Sequence, residues 1–88
     1  MEEMKKFIEY VARSLVEHPD EVQVSQSEGN VSQADGEGEN AVVIELRCNS
    51  ADTGQLIGRS GRTIKALRTL LVTAAAKHGV RAGLEIIE

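Results

Sequence analysis

Two glycines three residues apart, Gly58 and Gly61, separate the apolar pair Leu56-Ile57 from a long helical pattern that opens Arg62-Thr63-Ile64. Glycine breaks a helix and admits backbone conformations closed to other residues, so this spacing dictates helix, tight turn, helix. Two helices joined across so short a turn leave N–H groups at the start of the second without intrahelical partners. With no side chain at 58 or 61 to hold a ligand off, those donors are open to an anion, and Ser60 adds a hydroxyl. Arg59 and Arg62 sharpen the expectation. A cation in the first turn of a helix faces the positive end of the macrodipole and costs on the order of a few tenths of a kcal/mol. No acid within the turn offsets either arginine. A local rule broken at one place points to an absent anion, and for this pattern the expected anion is the phosphate of a nucleic acid.

The rest of the composition limits which kind of nucleic-acid binder this is. A chain of 88 residues has room for one domain with one core, burying about two-thirds of its extended-chain surface. Phe7 and Tyr10 are its only aromatic residues. The core must therefore be aliphatic, and a sheet-face platform of base-stacking aromatics is excluded. The single cysteine, Cys48, forms no internal disulfide and fits a reducing compartment. The opening Met1-Glu2-Glu3-Met4-Lys5-Lys6 is unlike a signal peptide, and no run is long enough to span a bilayer; a soluble, cytoplasmic protein with no membrane partner is expected. Net charge is −4, which taken alone argues against a polyanionic ligand. The two halves differ, however. Residues 1 to 46 hold eleven acids and three bases, net −8, and residues 47 to 88 hold seven bases and three acids, net +4. Function is expected in the second half.

Met4, Phe7, Ile8, Val11 and Leu15 recur at three- and four-residue steps and predict an amphipathic helix over 2–17, closed by Pro19, after which an extended segment begins. Alternation predicts strands over 21–26, with Val22 and Val24 on one face, and over 42–48, with Val42, Ile44, Leu46 and Cys48 facing opposite to Val43, Glu45 and Arg47. Residues 27–40, with three glycines and four acids, read as a flexible loop of this hairpin, with room for strand extensions at its flanks. Ser50 or Asp52 is placed to cap a short helix running to about Ile57. After the Gly58–Gly61 turn a helix over 62–78, roughly 25 Å long, carries Ile64, Leu67, Leu71, Ala74 and Ala75 as its buried stripe and stops at Gly79. A third strand over 82–87 turns Leu84 and Ile86 inward. The order αββααβ defines an α+β class.

Lys65 and Arg68 widen the basic region into a slope along the long helix. Other phosphate binders fail on spacing. A Walker A loop needs glycine where Leu56 stands and lysine where Arg62 stands, and a dinucleotide fingerprint needs glycine at 56 after a strand. No cofactor is expected. His18 and His78 with one cysteine give no metal-ligand spacing; His18 reads as a surface residue before Pro19, and His78 as a helix C-terminal residue. Nothing suggests an enzyme. The rival reading is a protein-interaction module, because Leu70 and Val72 fall outside the buried stripe and leave the long helix a second apolar face.

Leu56-Ile57-Gly58-Arg59-Ser60-Gly61-Arg62-Thr63-Ile64, after two strands in an αββααβ order, resembles the signature of the K-homology (KH) domain in its type II, prokaryotic arrangement. With Asp52-Thr53-Gly54 before the turn and Leu67-Arg68-Thr69-Leu70 after it, the whole chain, 1–88, is similar to the bacterial KhpA family of single-KH-domain proteins. The resemblance implies a three-stranded sheet packed against three helices. It implies that Gly58-Arg59-Ser60-Gly61, with Arg62 and Lys65, grips the backbone of about four nucleotides of single-stranded RNA. The bases would lie in an apolar groove floored by Ile57 and Ile64, each of which is equally readable as core. It also implies self-association or pairing with a KhpB (Jag) protein, and a link to control of cell elongation. Many family members carry lysine where this chain has Ser60, so weaker phosphate binding is expected. The acidic 27–40 segment is a second departure.

Overall fold

The computed structural model describes residues 2–28 and 40–87. Helix α1 spans Glu2–Leu15, strand β1 Gln23–Glu28, strand β2 Asn40–Arg47, helix α2 Thr53–Ile57, helix α3 Arg62–Ala76 and strand β3 Val80–Ile87. The order is αββααβ, as expected. Most of the predicted loop, 29–39, lies outside the described residues, while its ends, 27–28 and 40, belong to the strands.

The strands form one sheet in the order β1-β2-β3. β1 runs antiparallel to β2, with Val24 opposite Leu46, and β2 runs parallel to β3, with Ile44 opposite Leu84. A parallel pair cannot be closed by a hairpin, so the chain must cross over between β2 and β3. That crossover is α2, the glycine turn and α3. The three helices pack on one sheet face. Ile8 and Ala12 of α1, Leu56 of α2 and Leu67 and Leu71 of α3 meet Ile44 and Leu46 of β2 and Leu84 of β3 in one aliphatic core. Burying each of the leucine and isoleucine side chains among these contributes about 1.5–3 kcal/mol.

Several boundaries and faces depart from the sequence reading. α1 stops at Leu15 rather than 17, and Pro19–Glu21 forms a single 3₁₀ turn instead of extended chain, which delays β1 to Gln23. Pro19 suits the first position of such a turn because its missing N–H has no partner to lose there. α1 buries Ile8 and Ala12 while Phe7 and Leu15 are exposed, so its inner face centres on a small residue, Ala12, that lets the helix sit close to its neighbours. α3 ends at Ala76; Gly79, at φ 68°, donates to the Ala76 carbonyl and turns the chain into β3 two residues before the predicted start. Ala74 is only half-buried, unlike Ala75. Val43, expected to face away from the helices, is nonetheless buried.

Candidate nucleic-acid interface

The glycine turn is tighter than its spacing alone requires. Gly58 adopts φ 80°, ψ 170°, and its N–H closes the end of α2 on the Gly54 carbonyl at 2.9 Å. A Cβ at Gly58 would overlap the Thr63 side chain and stand 2.9 Å from the Thr63 backbone nitrogen. Glycine is therefore obligatory here on two grounds, conformation and space. Gly61, at φ 75°, has only Ile64 near, at 3.9 Å, so conformation alone selects glycine there.

Between them Ser60 sits at φ 57°, ψ 25°, the one non-glycine residue at positive φ among the described residues. A left-handed conformation costs an L-residue about 1–2 kcal/mol, and strain of this kind is concentrated at functional sites. The Gly61 N–H is held by the Gly58 carbonyl at 3.1 Å, and the Arg62 N–H by the Arg59 carbonyl. No hydrogen bond involving the Arg59 or Ser60 N–H is found among the described residues. Gly61, the N-cap of α3, offers no side-chain cap to that helix. Arg59, Ser60, Arg62 and Lys65 are exposed, and none of the three cations is in an ion pair among the described residues. The structure thus brings unpartnered amides and unneutralised cations to one end of the α2–α3 pair.

Other predicted site residues are sorted by the fold. Ile57, at 38% exposure, stands free on α2 beside the turn, whereas Ile64, at 7%, belongs to the core. Arg68 does not extend the basic slope as a free cation, because its Nε and Nη2 both donate to the Leu84 carbonyl at 3.2 Å. It instead ties α3 to the backbone of β3.

Asp52 is the residue that sequence reasoning placed wrongly. Neither it nor Ser50 caps the short helix: Asn49 caps the 3₁₀ turn at 50–52, accepting from the Ala51 N–H at 2.8 Å. The Asp52 carboxylate makes no cap on α2 and reaches back to the exit of α1. Its oxygens accept from the backbone N–H groups of Glu17 (3.3 Å) and His18 (3.0 Å), and one also meets His18 Nδ1 at 2.9 Å. His18, exposed as expected of a residue before Pro19, is therefore also a partner of this acid. Asp52 is the single buried polar or charged residue among those described. Its local signature, an acid ahead of a helix, is that of an N-cap, and no pattern within a few residues could have shown a partner at position 18.

A sheet with a parallel β2–β3 pair, backed on one face by three helices of which the last two are joined by a strained Gly-x-x-Gly turn, defines a KH domain of the type II arrangement. The sequence comparisons agree. The profile of the KhpA/KhpB KH-domain family matches residues 5–86. The RNA-binding protein KhpA of Aquifex aeolicus is 41% identical over 88 residues, the whole of both chains. The KhpA proteins of Clostridium acetobutylicum, 42% identical over 84 residues, and of Chlamydia pneumoniae, 40% over 85, are matched over 96–100% of each chain. No solved structure matches significantly. The chain belongs to the KhpA/KhpB family of KH domains.

The two glycines should respond differently to a methyl group. Gly61→Ala meets only the conformational cost, about 1–2 kcal/mol, or a melting midpoint lower by about 4–15 °C in a domain of this size. Gly58→Ala adds a clash with Thr63 and is expected to melt lower still. Thermal denaturation followed by circular dichroism ranks the pair; equal midpoints would contradict the packing described at Gly58.

Proposed function

We propose that this chain binds single-stranded RNA, with the Gly58-Arg59-Ser60-Gly61 turn holding the sugar-phosphate backbone and Arg62 and Lys65 adding charge. The observation that carries the reading is the strained Ser60 between two positive-φ glycines, with no hydrogen bond to the Arg59 or Ser60 N–H among the described residues and cations on either side. Its family is one of binding domains and not of enzymes. Ile57 is the apolar contact beside the turn, and Ile64 supports it from within the core. A single domain without an aromatic platform makes few phosphate contacts and reads sequence weakly.

α2 offers one more contact that its sequence pattern did not announce. Gly54 lies one helical turn before Gly58, on the same face, and a Cβ there would touch nothing within 4 Å. The fold gives no reason for glycine at this exposed position, although glycine destabilises a helix by roughly 0.5–1 kcal/mol relative to alanine. Close approach of a nucleotide to the bare α2 backbone accounts for it.

A second reading, association with another KH domain, is favoured by a specific observation and is compatible with the first. Phe7 and Leu70, 41% and 50% exposed, stand together in a groove of ≈ 320 Å³ completed by Met4, Thr73, Ala74 and Lys77. Along α3 the groove begins roughly 12 Å from the turn at standard rise, far enough for RNA and a protein to be held together. We propose a second copy, or a KhpB-type KH domain, as its occupant. No helix among the described residues is long and apolar enough to cross a membrane.

Replacing Arg59 and Ser60 together by aspartate is expected to abolish binding of mixed-sequence RNA octamers while circular dichroism and melting midpoint stay near wild type. For two or three neutralised phosphates the wild-type affinity falls with salt at a log–log slope of about −1.4 to −2. Binding retained by the double aspartate variant would refute the site. Gly54→Ala should separate fold from function, raising the midpoint by about 2–8 °C and weakening RNA binding. A variant both more stable and fully active would remove Gly54 from the interface. Leu70→Arg is expected to lower the oligomeric mass by light scattering with RNA binding intact; an unchanged mass would remove the groove as the interface.

A further inference from the structure

We infer that Asp52 is a positioning residue for RNA binding: by clasping the exit of α1 it fixes the pose of α2, and with it the Gly58–Gly61 turn, with His18 as its reversible partner. The inference rests on the turn being the strand-binding site.

The geometry is as follows. α2 has five residues, about 7.5 Å of helix at standard rise, too short to hold its own place. Leu56, fully buried, anchors its inner side near the turn. At its other end the anchor is Asp52, whose side chain is 2% exposed. Two backbone N–H groups just beyond α1 and the His18 ring converge on that carboxylate. An aspartate before a helix normally caps that helix; this one leaves α2 uncapped and engages residues 34 and 35 positions earlier. The only internal satisfaction of a buried charge in the described structure is thus placed one short helix away from the turn. Removing a partner from a buried carboxylate is costly, so a loosened clasp is expected to let α2 shift.

His18 makes the clasp reversible because its ring is 44% exposed and open to solvent protons. The hydrogen bond to Asp52 and the charge of that carboxylate raise the His18 pKa above the ordinary 6.5; desolvation opposes this, and Glu21 and Glu17 add to it. For Asp52, desolvation pushes the pKa up. The His18 hydrogen bond, the two backbone N–H groups and the His18 charge together outweigh it and leave the net value below the ordinary 3.8. These are the groups that face the pair: Glu17 from the end of α1, Glu21 from the 3₁₀ turn, whose carboxylate is itself bonded by the Asn49 side chain at 3.0 Å, and Asp52 ahead of α2. The histidine contribution is complete below about pH 6.5 and is lost as pH rises through the raised folded value. The aspartate contribution is complete above about pH 3.8 and is lost only as pH falls through the depressed folded value. Above the range in which Asp52 titrates, therefore, His18 loosens the clasp as pH rises through its raised folded value.

Two measurements on the full chain test this. In the RNA-free protein, the amide NMR signals of residues 58–62 are expected to move with pH at the midpoint of the His18 ring signals, and to stay still in His18→Gln, whose side chain can donate a hydrogen bond but does not titrate. Affinity for mixed-sequence RNA octamers is expected to fall about five-fold as pH is raised from below to above the His18 midpoint found in the first measurement, the low end of coupling between sites. His18→Gln removes that dependence, and Asp52→Asn weakens binding on both sides of that midpoint. Turn amides indifferent to His18 titration, or a His18→Gln variant with the wild-type pH profile, would overturn the inference even if Asp52→Asn failed to fold. Because the first measurement uses no RNA, a clasp that fails there is distinguishable from a wrongly assigned binding site, which the double aspartate variant at Arg59 and Ser60 decides.

Discussion

The missing Cβ at Gly58 governs how the second half of the molecule is put together. Thr63 occupies the space a side chain would need, so the end of α2 lies against the first turn of α3 with backbone and side chain in contact. That approach sends Leu56, Ile64 and Leu67 into one core and leaves Ile57, Arg59, Ser60, Arg62 and Lys65 outside. The strain at Ser60 follows from the same constraint, because a chain that must reverse between two close helices in four residues runs out of right-handed conformations. The placement of the polar groups is thus imposed by steric fit in the core. Electrostatics then decides what those groups attract.

Most of this was legible from local patterns, for identifiable reasons. Helical periodicity of 3.6 and strand alternation of 2 are properties of single elements, so the αββααβ order, the β2 face built on Ile44 and Leu46 and the α3 stripe through Leu67 and Leu71 could be read directly. The turn was legible because glycine reports backbone conformation and close approach at its own position. What stayed hidden were interactions between residues far apart in sequence. Asp52 looks like a cap until α1 is seen to end beside it, and Arg68 looks like a free cation until the Leu84 carbonyl is seen to hold it. Ala12 was overlooked for the inner face of α1 because a hydrophobic pattern weights Phe7 and Leu15 by size, whereas close packing selected the small residue.

The acidity of the chain is reconciled with an anionic ligand by where the charges lie. At physiological ionic strength a charge is felt over about 8 Å, so the eleven acids of residues 1–46 bear weakly on a turn built from the other half unless the fold brings them near. Between residues 47 and 84 the one acid is Asp52, the residue closest in sequence to the turn that could oppose an incoming phosphate. Its charge is buried and directed to the Glu17 and His18 amides and the His18 ring. The fold therefore withdraws the negative charge nearest in sequence from the solvent-facing side of the turn, and the same contact fixes α2.

Affinity is the remaining constraint, and it connects the turn to the groove. On the proposed reading, two or three phosphates held by amides and arginines, with Ser60 where a lysine would add charge, would make a contact that salt readily weakens. Two such domains joined through a face remote from their turns would convert the second encounter on one strand into an intramolecular one, raising apparent affinity by orders of magnitude with no new contact to RNA. The exposed Leu70, on the far half of α3 from Arg62, stands with Phe7 of α1, at the place a joining surface would occupy if both turns are to stay open. On the proposed reading, weak individual binding and an apolar face away from the site are two parts of one design: the first would favour pairing, and the second would leave the turn accessible when pairing occurs.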